Sequence, residues 1–191
     1  KKFSINEMFS INSTGRSTDP RKPFARQTAD ELLWLINEHL IELNPHNLLE
    51  IGIASGGTSL ILSKIFSNST VYGLDLSDAL IPKTLRKQQN FKMVIGNSIE
   101  RGTIEKLKSL CEEFDFILFD GDHSEQGIKA DIKNYIPLLR KGGLAVFHDI
   151  RHEPPAGIKT IYYSKIKPQF PSSFEYFKND NNNGYGLWYK E

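Results

Sequence analysis

Short apolar runs alternate with helical stretches along most of the chain. Between the runs, apolar residues recur at the three- and four-residue spacing of an amphipathic helix. Because no hairpin-type turns join the runs, we expect βα units that build a parallel sheet covered by helices on both faces. The predicted strands are 47–53, 70–76, 91–96, 114–120 and 142–150, and the predicted helices are 28–43, 58–66, 78–89, 99–112 and 124–139.

The C-terminal segment has a different pattern. Two aromatic stretches, SFEYF and GYGLWYK, flank the Asn- and Gly-rich sequence KNDNNNG, which is typical of a hairpin turn. The sequence therefore predicts a three-layer α/β sandwich with a seven-stranded, mostly parallel sheet and an antiparallel last strand. Residues 1–27 are polar and include Pro20 and Pro23, so we expect an irregular N-terminal arm before a single domain over 28–191.

The composition of the 191 residues narrows the range of partners. A formal net charge of +1 gives no global field that would attract nucleic acid or a membrane surface. No apolar run approaches the roughly 18 residues of a membrane span. We therefore expect neither partner. The single cysteine, Cys111, cannot form a disulfide within the chain, which favours a reducing compartment and predicts a cytoplasmic location.

Polar side chains follow every predicted parallel strand at its carboxyl end. One such end is explained by a helix cap or a surface turn. Five of them favour a ligand site, because open α/β sheets bind ligands outside the carboxyl ends of their strands. The residues at these ends are Glu50 with Gly52, Asp75, Asn97 with Ser98, Asp120 with Asp122, and His148 with Asp149.

The first of these loops, EIGIASGGTS, is rich in glycine. Gly52 permits close approach of a ligand to the backbone, and Gly56 and Gly57 relax the turn into the following helix, whose free amides suit a carboxylate or phosphate. Asp75 then ends the second strand, where a carboxylate can bind both hydroxyls of a ribose. This combination predicts a ligand that contains a nucleoside.

Two positions distinguish between the adenosine cofactors. A dinucleotide fingerprint has glycine where this chain has Ala54. Glu50 places an acid at the strand end, which would repel a pyrophosphate and attract the ammonium group of a methionine moiety. The pattern therefore disfavours a nicotinamide dinucleotide.

On these residues the sequence resembles the class I S-adenosyl-L-methionine-dependent methyltransferases. Their first motif, E/D-x-G-x-x-x-G, is matched by Glu50, Gly52 and Gly56, and their second-strand acid by Asp75. The segment FDGDHSEQGIKADIKNYIPLLRKGGLAVFHD resembles more narrowly the macrocin O-methyltransferase and cephalosporin-hydroxylase-like group. The resemblance covers about 47–150 and the last strand. It implies a Rossmann-like fold and methylation of a small-molecule hydroxyl, on a sugar or a natural product.

The resemblance also implies which residues contact S-adenosyl-L-methionine. The implied contacts are Glu50, Gly52, Ala54, Ser55, Gly56 and Gly57 for the methionine part, Asp75 and Leu76 for the ribose, Asn97 and Ser98 for the adenine, and Asp120 near the transferred methyl group.

A metal-assisted reaction is implied by the same resemblance. In metal-dependent relatives, the position of Asp120 binds a divalent cation together with acids at the end of the fifth strand, which maps Asp120 and Asp149 onto ligands for Mg²⁺ or Mn²⁺. Asp122 then maps onto the general base, with His123 and His148 as the other candidates. The alternative is structural: Asp122 and His123 cap helix 124–139, and His148 is a satisfied buried partner.

Two other functions stay open at this level. One is a nicotinamide-dependent oxidoreductase, and the other is an inactive cofactor-binding domain that serves assembly. Relatives of the resembling group are often dimers or larger, so homo-oligomerisation is also left open.

Overall fold

Seven strands form one sheet in the computed structural model, which describes residues 29–178 and 183–191. The strands are β1 Asn47–Ile51, β2 Thr70–Asp75, β3 Phe91–Ile95, β4 Phe114–Phe119, β5 Leu139–His148, β6 Phe174–Tyr176 and β7 Tyr185–Tyr189. Their order is β3-β2-β1-β4-β5-β7-β6. Strands β1 to β5 are parallel, and β7 is antiparallel to both β5 and β6. This arrangement confirms the predicted fold.

Helices cover both faces of the sheet. Helices α1 and α2 pack on one face, and α4, α5 and the segment after β5 pack on the other. The helices are α1 Ala29–Leu35, continued by π-helical Ile36–Leu40 and by Ile41–Leu43, α2 Gly57–Ile65, α3 Lys83–Arg86, α4 Arg101–Leu110, α5 Glu125–Tyr135, continued by the 3₁₀ turn Ile136–Leu138, and α6 Lys159–Ile161, continued by Tyr162–Ile166 and Lys167–Gln169.

Strand β4 lies at the centre of the sheet between β1 and β5, and all six of its residues are buried. Phe116 and Leu118 pack in the cluster with α1 and α2, whereas Ile117 and Phe119 pack in the cluster with α4 and α5. Burial on both faces explains the apolar run 116–119, and the run ends at Asp120, where the strand reaches the carboxyl edge of the sheet. Asp115 near the start of the strand is compensated by an ion pair with Arg140.

The largest differences from the predicted boundaries concern two helices. The helix predicted over 78–89 is wrong in extent, because Pro82 has an extended backbone and α3 begins only at Lys83. The helix predicted over 124–139 ends at Tyr135, and Leu139 already belongs to β5.

Two predicted segments cannot be compared with the structure. The N-terminal arm, 1–27, and residues 179–182 of the predicted hairpin turn lie outside the described residues. Within the described residues, none of the helices has both the length and the apolar character needed to span a bilayer.

Candidate active site

The carboxyl ends of the parallel strands surround two adjoining cavities. The large cavity has a volume of about 460 Å³ and the small cavity a volume of about 120 Å³. The residues that line only the large cavity are Ile51, Leu74, Asp75, Leu76, Gly96, Asn97, Ser98, Ile99 and Asp122. The residues that line only the small cavity are Glu50, Ile53, Gly57, Thr58, His123 and Asp149. Both cavities are lined by Gly52, Ala54, Asp120 and Gly121. Most of the sequence-predicted site residues therefore meet at one edge of the sheet.

Gly52 brings the loops after β1 and β4 into contact. Its φ is +85°, and a Cβ atom at this position would lie 2.2 Å from the carbonyl oxygen of Asp120. Its amide donates a hydrogen bond of 2.8 Å to the carbonyl of Leu74 in β2. Only glycine fits here, because a side chain would meet both a backbone clash and a disfavoured conformation.

Asp75 is joined to the same loop. Its Oδ2 accepts a hydrogen bond of 2.9 Å from the backbone amide of Ala54, which has a φ of +47°. Ala54 thus adopts the left-handed conformation that glycine adopts more readily. Because Ala54 adopts this conformation, the absence of glycine at position 54 does not argue against a dinucleotide. The sequence argument against a dinucleotide therefore rests on Glu50.

Glu50 is a buried acid at the end of β1. Its side chain accepts a hydrogen bond of 2.5 Å from the hydroxyl of Ser59 in α2. Burial raises the pKa of Glu50 to about 8. The hydrogen bond from Ser59 partly offsets this rise in the pKa, and the nearby Asp120 adds to it. An ammonium group in the small cavity would favour its ionised form. Neither Ser59 nor Thr58, which also lines the small cavity, is marked by a pattern in the sequence.

Two apolar side chains at the large cavity are exposed. Leu76 is 71% exposed and Ile99 is 40% exposed. Exposed apolar groups beside a cavity can pack against the faces of a flat heteroaromatic ring. Ile99 was not predicted. Within the described residues, the predicted Ser55 and Gly56 lie outside both linings.

Two acids and two histidines meet where the small cavity begins. The Nδ1 atom of His148 lies 3.0 Å from Oδ1 of Asp120 and 3.3 Å from Oδ2 of Asp149. The Nε2 atom of His123 lies 3.3 Å from Oδ2 of Asp149 and 3.9 Å from Oδ1 of Asp120. One ligand atom from each of Asp120, His123 and Asp149 falls within 4.8 Å of the others, so these three residues could hold a metal ion.

The electrostatics of this cluster follow from its burial and its mixed charges. Burial opposes ionisation of Asp120, yet the charge of His148, its hydrogen bond to Asp120 and the nearby His123 lower the pKa of Asp120 to about 2. Burial likewise opposes a charge on His148, yet Asp120 and Asp149 raise its pKa to about 10. The pKa of His123 is raised, first by its contact with Asp120. The two carboxylates therefore favour a positive charge beside them, which the histidines or a bound cation can supply.

His123 and His148 have different surroundings. His123 lines the small cavity, and its Nδ1 atom lies 3.2 Å from the carbonyl oxygen of Pro155 in the loop after β5. His148 is 1% exposed and lies behind the two carboxylates. His123 is thus accessible to a ligand, whereas His148 orients the acids.

Asp122 is engaged at the start of α5. Its carboxylate accepts hydrogen bonds of 2.9 Å from the Ser124 amide and 2.7 Å from the Ser124 hydroxyl, and the amide contact is the main reason that its pKa is lowered. Ser124 is the N-cap, because its hydroxyl accepts a hydrogen bond of 3.0 Å from the Gly127 amide. Asp122 therefore supports the cap, and it is a weaker base than the sequence suggested.

Asp131 in α5 is a buried acid that sequence reasoning missed. Burial raises its pKa from 3.8 to about 6. Ser98 lowers the pKa and so opposes this shift, whereas the charge of Asp122 raises it further. The folded state binds this proton more tightly than the unfolded state does. The contribution of Asp131 to the free energy of unfolding is therefore fully present below about pH 4 and is lost as the pH rises through about 6.

Asp131→Asn is therefore expected to gain stability relative to wild type as the pH rises, by about 3 kcal/mol between about pH 4 and about pH 7. Urea unfolding at a series of pH values measures this difference. Glu125→Gln, which removes an exposed acid of the same helix, is the control and should show no such trend. A difference for Asp131→Asn that is independent of pH would contradict the shift.

Residues 49–150 match a family described as a methyltransferase domain. The chain is 31% identical over 110 residues to demethylmacrocin O-methyltransferase of Streptomyces fradiae, a match that covers 54% of this chain and 27% of that protein. It is 27% identical over 124 residues to rhamnosyl O-methyltransferase of Mycobacterium tuberculosis, covering 61% of this chain and 51% of that protein. The chain thus spans about a quarter to about half of the length of these relatives.

Solved structures of methyltransferases share the fold. MycE of the mycinamycin pathway, in a complex with Mg, SAH and mycinamycin VI, is 17% identical with a TM-score of 0.66 over 100% of this chain and 54% of that chain. The O-methyltransferase TomG of Streptomyces achromogenes, in a complex with SAM, is 13% identical with a TM-score of 0.67 over 100% of this chain and 92% of that chain. Because the family match spans more than half of the 191 residues, the chain belongs to the methyltransferase-domain family.

Proposed function

We propose that this chain transfers a methyl group from S-adenosyl-L-methionine to a hydroxyl oxygen of a small molecule that carries a sugar. The observation that carries the proposal is that the two cavities adjoin and share four lining residues. Exposed apolar groups and Asp75 line the large cavity, and Asp120, His123 and Asp149 line the small cavity. The curated relatives support the choice of oxygen, since they are named as O-methyltransferases.

The lining residues fit the parts of this methyl donor. Asp75 can accept hydrogen bonds from the ribose hydroxyls, and Leu76 and Ile99 can flank the adenine ring. Glu50, at the other end, suits the ammonium group of the methionine part. This orientation directs the transferable methyl group towards Asp120, which lines both cavities.

The cluster also fits a divalent cation. Asp120 and Asp149 offer hard oxygen ligands, which suit Mg²⁺ or Mn²⁺, and MycE is a neighbour whose structure contains Mg. His148 contacts both carboxylates and holds them towards the small cavity. A cation bound by these acids supplies Lewis-acid polarisation of the acceptor hydroxyl.

His123 is the general base in this proposal. A hydrogen bond from Nδ1–H to the Pro155 carbonyl favours the tautomer in which Nε2 carries no proton, and this neutral form is accessible when a cation takes over the neutralisation of Asp120 and Asp149. As the acceptor oxygen attacks the methyl carbon, its O–H proton passes to Nε2 and the C–S electron pair returns to sulfur. Asp122 is less suited to this role, because Ser124 already occupies its carboxylate.

Methyl transfer from labelled S-adenosyl-L-methionine to a panel of macrolide and rhamnosyl acceptors tests the proposal. After exhaustive chelation we expect activity to fall by about 100-fold or more and to return on addition of Mg²⁺ or Mn²⁺. Full activity after chelation would refute the metal role. Transfer confined to nitrogen acceptors in a wider screen would refute the choice of oxygen.

A further inference from the structure

Three carboxylic acids line the small cavity, and one of them differs from the other two in its partners. Asp120 and Asp149 lie 3.0 and 3.3 Å from the Nδ1 atom of His148. Glu50 forms no ion pair with a basic side chain in the part of the chain that the structure describes, and the group that donates to it is the neutral hydroxyl of Ser59. Glu50 is therefore the acid of this cavity whose charge is left for a ligand to balance.

Ser59 contacts Glu50 from behind the cavity wall. It lies in the first turn of α2, is fully buried and is outside both cavity linings. Its hydroxyl donates a hydrogen bond of 2.5 Å to Oε2 of Glu50, which is 3% exposed. Because Ser59 engages Oε2 on the helix side, Oε1 is the oxygen of Glu50 that is left for a ligand in the small cavity.

A hydroxyl in this place changes the state of a buried carboxylate. Burial favours the protonated form of Glu50, whereas the hydrogen bond from Ser59 stabilises the charged form and so lowers the pKa. A hydrogen bond to a charged acceptor is roughly twice as strong as one between neutral groups. Ser59 therefore favours an ionised Glu50 in one orientation, which is the state that attracts an ammonium group.

We propose that Ser59 is a positioning residue that orients the carboxylate of Glu50 in the small cavity and thereby sets its affinity for the amino group of the methyl donor. The inference rests on the proposed function, because it assumes that the methionine part of the donor occupies the small cavity. Ser59 acts through Glu50 and does not touch the ligand.

Calorimetric titration with S-adenosylhomocysteine and with its deamino analogue, in which hydrogen replaces the amino group, tests this inference. The ratio of the two affinities reports the amino group alone, and we expect wild type to bind S-adenosylhomocysteine about 10–100-fold more tightly. In Ser59→Ala this ratio should fall by at least about fivefold, while the affinity for the deamino analogue stays within about twofold of that of wild type. Alanine is a good helix former, so the variant is expected to fold.

Ser63→Ala is the matched control. Ser63 is also buried in α2, one turn after Ser59, and its hydroxyl donates a hydrogen bond of 2.7 Å to the Ser59 carbonyl. The change perturbs the same helix without removing a donor to Glu50, so the ratio should stay at the wild-type value. An unchanged ratio in Ser59→Ala would overturn the inference, whether or not both affinities weaken, because a purely structural role affects the two ligands equally.

Repeating the Ser59→Ala change in a Glu50→Gln background provides a second test. Glu50→Gln removes the charge through which Ser59 acts, so the effect of Ser59→Ala on the ratio should disappear. An effect as large in this background as in wild type would overturn the inference, because Ser59 would then act by another route. Wild type that binds neither ligand would instead refute the proposed function, so the two failures are distinguishable.

Discussion

Replacing His123 with alanine is expected to lower kcat for methyl transfer by about 10²–10⁴-fold. The affinity for S-adenosylhomocysteine should stay close to that of wild type, because His123 lines the small cavity and the nucleoside occupies the large one. Labelled methyl transfer measures the first quantity and calorimetry the second. This separation distinguishes loss of a base from collapse of the site.

His46→Ala is the control for this experiment. The His46 side chain is exposed and precedes β1, at the opposite edge of the sheet, so its removal should leave kcat unchanged. Asp122→Asn decides between the two candidate bases. If Asp122→Asn loses activity by about 10²–10⁴-fold and His123→Ala stays nearly as active as wild type, the base is Asp122 and not His123.

The second large effect is expected for Asp75→Ala, which should weaken binding of S-adenosylhomocysteine by about 100-fold or more. Two hydrogen bonds from ribose hydroxyls to a carboxylate are lost, and each such bond to a charged group contributes about 1.5–3 kcal/mol. The Ala54 amide also loses its acceptor, which loosens the loop that lines both cavities.

Asp78→Ala is the matched control for Asp75→Ala. It removes an acid three residues along the chain that pairs with Arg86 at 2.6 Å and lies outside both cavity linings. Its affinity should stay near that of wild type. Equal losses in the two variants would show that Asp75 acts only through the net charge of the region.

The sheet could be predicted because its central parallel strands β1, β2 and β4 are buried on both faces. A strand such as β4 is then apolar over 116–119, and its carboxyl end is marked by Asp120. Helix extents were less predictable. The apolar positions around Ile81 and Leu85 pack together in one small cluster, yet Pro82 between them prevents one continuous helix.

The residues of the site were predictable only where they directly follow a strand. Asp75, Asp120 and Asp149 follow strands directly, and parallel topology brings such positions together. Other lining and supporting groups come from helix faces and loops, where no local pattern distinguishes them from core or surface residues. These groups are Thr58, Ser59, Ile99, Asp131 and Pro155.

The individual cofactor contacts, the identity of the base, the cytoplasmic location and homo-oligomerisation stay predictions. Each depends on a ligand, a compartment or a second chain rather than on the fold. The activity of the whole protein is likewise a proposal, because the chain spans only 27% and 51% of the two relatives compared.

Binding of the methyl donor is the central claim, and titrating wild type with S-adenosylhomocysteine and NADH side by side tests it most directly. Glu50 becomes ionised beside the ammonium group of the first ligand and so stabilises its aminocarboxylate end, whereas it offers the pyrophosphate of the second no comparable interaction. We expect a dissociation constant in the micromolar range for S-adenosylhomocysteine and no measurable binding of NADH. NADH binding that equals or exceeds that of S-adenosylhomocysteine would contradict the claim.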